Sequence, residues 1–243
     1  MPIMLDWSAV LTGMPAKWLL GGISVTLAVT AAASALAAVT AIALSAMRLS
    51  PLSPARFFAA SFVAVFRNTP LLVQLLVWYF VGFGILPQGF REWAFADHPW
   101  AALPGNVSIL SPEFLASAWG LGLFGGVFLS EELRAGLNAV SPGQREAARA
   151  QGLGEGTILF SVLLPQALTN AYEPIVGQFL NVMKLSSIAC SVGLAEITYQ
   201  SRSIESFNSR AFEAFAVGTI LYLAIGFVLE RALMSGRRRA HAH

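Results

Sequence analysis

Long uninterrupted apolar runs, separated by short polar segments, dominate the chain. Residues 18–47 contain no charged side chain and are rich in Ala, Val and Leu. A helix needs about 20 mainly apolar residues to cross a bilayer, whereas a barrel strand alternates apolar and polar positions over ~10 residues. Because the runs are continuous, the pattern predicts spanning helices. They cover residues 18–47, 57–83, 114–130, 165–190 and 211–229.

Two of these runs are interrupted by polar side chains. The second contains the segment 67–70, and the fourth, whose apolar pattern is the weakest, contains Glu173 and Lys184. The prediction is an all-α fold, a polytopic bundle of about five transmembrane helices. A single transmembrane domain is expected over residues 1–243.

Composition supports a membrane protein and excludes two other classes. Of 243 residues, 56% are hydrophobic and 12% are charged, whereas a soluble chain carries about 25% charge. Disorder is excluded because so much apolar surface must be buried. The net charge of +2 is spread over segment ends rather than gathered in a stripe, which argues against a nucleic acid partner. The single cysteine, Cys190, permits no internal disulfide.

Basic residues predict the orientation, since short cytoplasmic loops carry an excess of Lys and Arg. With the N-terminus outside, the inner segments hold Arg48, Arg56, Arg134, Arg145, Arg149, Arg231, Arg237, Arg238 and Arg239. The outer segments hold Lys17, Arg91, Arg202 and Arg210. The bias predicts an outer N-terminus and a cytoplasmic C-terminus. The first apolar run lacks a basic segment before it and is too long for a signal peptide, so it is expected to remain as a helix.

One polar loop, residues 132–164, is long for a passive connector and is expected to carry function. Within it, Ser141 is a favourable N-cap, Pro142 suits the first helical position and Gln144 would complete a capping box. Gly152 stands where a helix ends in the left-handed conformation. The loop therefore predicts a short helix, with Ala147 and Ala148 as small side chains that let another surface approach. A solvated helix without a partner is the alternative.

The same loop resembles a known signature. Glu146, Ala147 and Ala148, then Gly152 and the run Val162-Leu163-Leu164-Pro165, are similar to the "EAA…G…I-x-LP" motif of importer permeases of the ATP-binding-cassette (ABC) class. The match departs only at Val162, which replaces Ile. The resemblance implies a type I importer fold in which this segment is a coupling helix. Glu146, Ala147, Ala148 and Gly152 would then contact an ATPase subunit.

Further segments resemble the polar amino acid permeases. Phe66-Arg67-Asn68-Thr69-Pro70-Leu71-Leu72-Val73-Gln74 is similar to their "FRGTPLLVQ" segment, and Gly177-Gln178-Phe179 and Val192-Gly193-Leu194-Ala195-Glu196 match other stretches. The similarity extends over residues 18–233. Asn68 in place of Gly, together with Phe212-Glu213-Ala214-Phe215, most resembles glutamate/aspartate permeases.

No ATPase site is present in the sequence. A Walker A loop needs Gly-x4-Gly-Lys followed by Ser or Thr, but Lys17 is followed by Trp18 and Lys184 by Leu185. The resemblance implies that a separate ATPase dimer binds ATP and magnesium, so this chain is not expected to be an enzyme or to hold a cofactor. It also implies a second permease, identical or related, a periplasmic amino-acid-binding protein, and a place in the bacterial inner membrane.

Charged residues at membrane depth are candidates for the substrate pathway, because they are costly there. Lys184 would attract a substrate carboxylate and Glu131 an ammonium, if their helices face one cavity. Asn181, Ser186 and Ser187 are available as further hydrogen-bond donors. Snorkelling of Lys184 and Glu131 to the interface is the alternative. Basic amino acid permeases that resemble this chain often carry an acidic residue after this lysine, so Leu185 argues against an arginine or histidine substrate and leaves acidic or neutral ones.

Other motifs carry less weight. Gly120-x-Gly122-x-x-Gly125 matches the dinucleotide fingerprint, but it lies in an apolar span without a preceding strand and is better explained by close helix packing. The histidines His98, His241 and His243 are scattered and predict no metal site. The alternative functions are a permease for glutamine or an opine, or a membrane scaffold that docks a cytoplasmic partner.

Overall fold

The computed structural model describes residues 5–104 and 107–240, and these form a helical bundle. The helices are α1 (Ser8–Leu11), α2 (Gly13–Leu49), α3 (Ser53–Asn68), α4 (Leu71–Ile85), α5 (Gln88–Phe95), α6 (Pro112–Asn138), α7 (Pro142–Ala150), α8 (Glu155–Val192), α9 (Ile197–Asn208) and α10 (Ala211–Ala240). A hairpin of two short strands, β1 (Ala102–Leu103) and β2 (Val107–Ser108), joins α5 to α6. The all-α prediction is confirmed.

In the described residues, 4 helices are long and apolar enough to cross a membrane: α2, α6, α8 and α10. Counting the bent pair α3 and α4 as one crossing raises the number to 5, which agrees with the sequence prediction. The span with the weakest pattern, α8, is a helix of 38 residues. Because α6 continues to Asn138 and α8 begins at Glu155, the polar loop is shorter than the predicted 132–164.

The centre of the bundle is the pair α2 and α6. A Cβ added at Gly122 would lie 2.7 Å from Leu36, and one added at Gly126 would lie 2.5 Å from Thr40. The backbones approach closely because these positions have no side chain, as predicted for glycines in a membrane span. Moving four residues along α6, from Gly122 to Gly126, moves the contact four residues forward along α2, from Leu36 to Thr40, so α2 and α6 are parallel.

The remaining spans alternate in direction around this pair. Gly136 of α6 packs against Ala167 of α8, and Gly125 against Val182, so α8 is antiparallel to α6. The Tyr172 hydroxyl donates to the Leu233 carbonyl, and Gly226 faces Met183, so α10 is antiparallel to α8.

This topology separates two ends of the bundle. At one, the "α7 end", α2 and α6 finish, α8 begins and α7 joins α6 to α8. At the other, the "hairpin end", α2 begins and the β-hairpin lies. Helix α10 starts at the hairpin end and runs to the α7 end, so the two termini of the bundle lie at opposite ends. The side chains of Arg237–Arg239 and the residues His241 and His243 lie outside the described part of the chain.

The bend of 106° between α3 and α4 follows from the segment 67–74. Pro70 has no amide hydrogen and ends α3. Polar side chains then satisfy the carbonyls released at the break: Asn68 Nδ2 donates to Ala64 O at 2.7 Å, and Gln74 Nε2 donates to Phe66 O and Thr69 O at 3.0 Å. The polar interruption in the second apolar run is therefore the bend itself.

Candidate coupling loop and substrate pathway

Helix α7 has the ends that the sequence predicts, with one difference at its start. Ser141 is the N-cap and Pro142 the first helical residue, but the Ser141 side chain makes no capping hydrogen bond, so the expected capping box does not form. The Ser141 carbonyl instead accepts from the Gln144 amide at 3.0 Å. At the other end Gly152 has φ +80°, and Leu153 N donates to Ala148 O at 3.2 Å. This closure needs a left-handed residue.

The two alanines of the motif differ in exposure. Ala147 and Glu146 are exposed, whereas Ala148 is buried between α7 and the start of α8. Because Ala148 is already buried within the chain, only Ala147 of the two alanines is open to a partner. The sequence predicts Ala148 on the outer surface, but the structure places it inside, where it packs α7 against its own chain.

An ion-pair cluster joins α7 to α8, and the sequence analysis did not anticipate it. Glu155, the first residue of α8, accepts from Arg145 Nη2 at 2.7 Å and from Arg149 Nε at 2.6 Å. These arginines are four residues apart and so lie on one face of α7. The carboxylate therefore links the loop helix to the following transmembrane span.

Glu131 lies near the α7 end of α6, within a second ion-pair cluster. Its carboxylate is paired with Arg48 at the end of α2, with Arg67 at the end of α3 at 3.0 Å, and with Arg134 at 2.9 Å. Three spans thus meet at one carboxylate. The sequence predicts that Glu131 and Lys184 face one cavity; in the described residues the Glu131 carboxylate is paired with three arginines. Glu131 is engaged by arginine and is not free to receive an ammonium.

Lys184 is exposed on α8. It lies near the middle of the bundle, since the neighbouring Val182 packs against Gly125 at the middle of α6. It has no ion-pair partner among the described residues. Asn181 and Ser187 are partly exposed on the same helix.

Two of the expected hydrogen-bond donors are committed to the backbone. Ser186 is fully buried and its hydroxyl donates to Met183 O at 2.7 Å, while the Ser187 hydroxyl donates to Lys184 O at 2.8 Å. A serine hydroxyl has a single proton to donate. Ser187 can therefore act towards a ligand only as an acceptor, Ser186 is not accessible, and Asn181 remains the available donor.

Glu196 is a buried carboxylate whose role the sequence pattern did not reveal. It begins α9 and accepts from Thr198 N at 2.9 Å and Tyr199 N at 2.8 Å, and the Tyr222 hydroxyl of α10 donates to it. Burial raises the pKa of Glu196 to about 7, against the lowering effect of these donors. The residue therefore caps α9 and ties it to α10.

No metal centre is found in the parts of the chain that are described: they contain no group of three His, Cys, Asp or Glu side chains able to hold a metal ion.

Known proteins resemble this chain along most of its length. The arginine transport system permease protein ArtQ of Bacillus subtilis is 28% identical over 93% of this chain and 92% of its own length. The glutamate/aspartate import permease protein GltJ of Escherichia coli K12 is 30% identical over 86% and 81%.

Solved structures agree with these relatives. A crystal structure of an amino acid ABC transporter with histidines matches with a TM-score of 0.78 at 28% identity, over 98% of this chain and 100% of its own. An inward-facing MetNI methionine ABC transporter, at 18% identity and a TM-score of 0.65, shares the fold. The family described as the binding-protein-dependent transport system inner membrane component matches residues 33–234. With its bent second span and its loop helix between two spans, the chain belongs to this family of transporter membrane components.

Proposed function

We propose that this chain is the permease subunit of an ATP-driven amino acid importer and that it carries acidic amino acids, glutamate or aspartate. The observation that carries the transport assignment is helix α7, which has defined ends, lies between two spans and presents Glu146 and Ala147 outwards. Relatives that are named as arginine, glutamate/aspartate and glutamine permeases support an amino acid as the substrate.

Helix α7 is proposed to be the lever that an ATPase dimer moves. Residues Glu146–Gly152 would make the contact, and Ala148 and the Glu155 ion pairs would transmit the displacement to α8. ATP and magnesium would be bound by the ATPase. In this proposal the α7 end is cytoplasmic, the N-terminus is outside, the membrane is the bacterial inner membrane, and two permease subunits enclose one pathway.

The preference for an acidic substrate is based on the surroundings of Lys184. The lysine is exposed, has no ion-pair partner in the described chain and is followed by Leu185 rather than a carboxylate. An uncompensated cation near the middle of a membrane bundle favours an anionic ligand. Asn181 would donate to the substrate and Ser187 would accept from it. Glutamine or an opine remains the second candidate, because Asn181 and Ser187 also suit an uncharged amide.

Uptake by the complete complex tests the proposal. The chain would be reconstituted in proteoliposomes with its ATPase and binding protein, and uptake of labelled glutamate, aspartate, glutamine and arginine would be measured. We expect glutamate and aspartate to be transported and arginine to compete weakly. Stronger competition by arginine than by glutamate would contradict the acidic assignment.

A variant of the loop tests the class of protein. Gly152→Asp places a charge beside the proposed docking face, and we expect it to abolish stimulated ATPase activity while the protein still inserts into the membrane. Normal uptake by this variant would contradict a lever at α7 and favour a membrane scaffold.

A further inference from the structure

A polar concavity lies on the face of α9 that points out of the bundle. It is a shallow depression that is widely open to its surroundings, with a volume of about 520 Å³. Helix α9 buries Ile197, Ser201 and Ile204 and turns its opposite face outwards. The concavity is lined by Cys190, Tyr199, Arg202, Ser203, Ser206 and Phe207.

The concavity lies in the half of the bundle nearer the hairpin end. Ile197 N donates to Thr26 Oγ1 at 3.3 Å, and Asn208 Nδ2 donates to Ala9 O at 3.0 Å, so α9 runs beside α1 and the first half of α2. The concavity therefore lies nearer to the end opposite α7 than Lys184, whose neighbour Val182 packs against Gly125 in the middle of α6.

Arg202 supplies the charge of the concavity. Its side chain is exposed and, within the described residues, has no salt-bridge or hydrogen-bond partner. Glu196 does not neutralise it, because that carboxylate is buried and held by the amides of Thr198 and Tyr199. An arginine without an ion-pair partner is available to an anionic ligand, and its planar guanidinium binds a carboxylate in a bidentate manner.

The other groups around Arg202 suit the rest of an amino acid. The Ser203 hydroxyl donates to Tyr199 O at 3.1 Å, so its lone pairs are left to accept from an ammonium. The Phe207 ring is held by an edge contact with Trp18, at 5.5 Å between ring centroids, and forms a fixed apolar wall.

We propose that this concavity is an entry site for the amino acid substrate, in which Arg202 binds the α-carboxylate and Ser203 accepts from the ammonium. The proposal rests on the proposed importer function and adds a second binding position to it. The site selects for the α-amino acid backbone, whereas Lys184 would respond to the side-chain carboxylate.

Cys190 provides a direct readout, because it is the single cysteine of the chain and lines the concavity. The complete complex in proteoliposomes would be treated with a maleimide without nucleotide, and modification of Cys190 would be followed by mass spectrometry. We expect L-glutamate to slow the labelling by about tenfold at saturation, and isoglutamine, which lacks the α-carboxylate, to give no protection.

The variant Arg202→Gln tests whether protection of Cys190 depends on binding of glutamate by Arg202. We expect it to abolish protection relative to its own ligand-free labelling rate and to raise the KM for uptake about tenfold, since a charge-assisted bidentate contact is lost. Lys17→Gln, which removes an exposed cation of α2 towards the same end, should leave protection and KM unchanged. Equal protection of wild type and Arg202→Gln by glutamate would overturn the proposal.

The same measurements test the entry site separately from the proposed acidic substrate. One outcome is that the complex takes up arginine but not glutamate, that arginine protects Cys190, and that Arg202→Gln abolishes this protection. That outcome would reject the acidic assignment and support the entry site. Glutamate uptake by the wild type without any protection of Cys190 would overturn the entry site and retain the importer.

Discussion

Charge is arranged differently at the α7 end and on the exposed faces of α8 and α9. At the α7 end, Glu131 holds Arg48, Arg67 and Arg134, and Glu155 holds Arg145 and Arg149. On the exposed faces, Lys184 and Arg202 have no ion-pair partner among the described residues.

The cations therefore have different roles in the two regions. Each carboxylate at the α7 end joins elements that are distant in the chain, so its arginines fix the positions of helices. The cations on α8 and α9 join nothing and are available to a ligand. The experiments below test this division.

The largest effect is expected at the end of α7. Gly152 has φ +80°, which a β-branched residue does not tolerate, whereas Asn adopts it readily. Gly152→Val should reorient the loop relative to α8 and reduce ATP-driven uptake by at least about tenfold, and Gly152→Asn should retain most of it. Uptake assays in proteoliposomes measure both. If both variants lose uptake equally, then the added side chain, and not the backbone conformation at position 152, causes the loss.

Stability should respond most to the carboxylate at the centre of the arginine cluster. Glu131→Gln leaves three arginines converging without a counter-charge, two of them about half exposed to water and the third, Arg48, more buried. We expect the free energy of unfolding to fall by roughly 2 kcal/mol. Thermal unfolding of the detergent-solubilised protein measures this. The matched control is Glu132→Gln, at the next position of α6, which should change the melting temperature little.

If Glu131 instead contacts substrate, Glu131→Gln would unfold at the wild-type temperature and show a raised KM. That result would place Glu131 among the ligand-binding charges and break the division between the two regions.

A smaller effect is expected for the link between α7 and α8. Both arginines and Glu155 are about half exposed, and exposed ion pairs contribute little to stability. Glu155→Gln should leave the melting temperature unchanged but lower the substrate transported per ATP by about two- to fivefold, because α7 is held less firmly. Glu155→Asp retains the charge and should recover part of the loss. An unchanged transport ratio in Glu155→Gln would show that packing of Ala148 alone couples the two helices.

The smallest effect concerns pH. Burial raises the pKa of Glu196 from 4.5 to about 7, so the folded protein binds the proton more tightly than the unfolded chain. This stabilising contribution is present at low pH and is lost as the pH rises through about 7. The wild type should therefore lose a few degrees of melting temperature between about pH 5 and about pH 8 relative to Glu196→Gln. Glu205→Gln, partly exposed on the same helix, should follow the wild type; parallel pH curves for wild type and Glu196→Gln would contradict the assignment.

Much of the fold was predictable because the relevant signals are local. An apolar run long enough to cross a bilayer is visible without knowledge of its neighbours, and Pro142 and Gly152 mark the ends of α7 within a few residues. The interruption at 67–70 could be seen, but its meaning could not: whether Pro70 produces a loop or a sharp bend depends on Gln74 reaching back to two carbonyls.

The candidate site was less predictable. Lys184 and Glu131 are predicted to bind opposite ends of the substrate because both are charged residues in apolar surroundings. The structure instead places Arg48 and Arg67 beside Glu131. Arg48 is 83 positions away along the chain, and only the parallel packing of α2 and α6 makes it a neighbour. The orientation of Ala148 likewise depends on α7 packing against α8.

The sequence by itself determined that this is a helical membrane protein with about five crossings, a loop helix with defined ends and no ATPase motif. Those properties follow from the composition and order of adjacent residues. The tertiary structure decided which charges are paired, which are open to a ligand, and that Cys190 and Arg202 share one concavity. The physical reason is that electrostatic interactions depend on distance in space, and the glycine contacts between the spans set that distance.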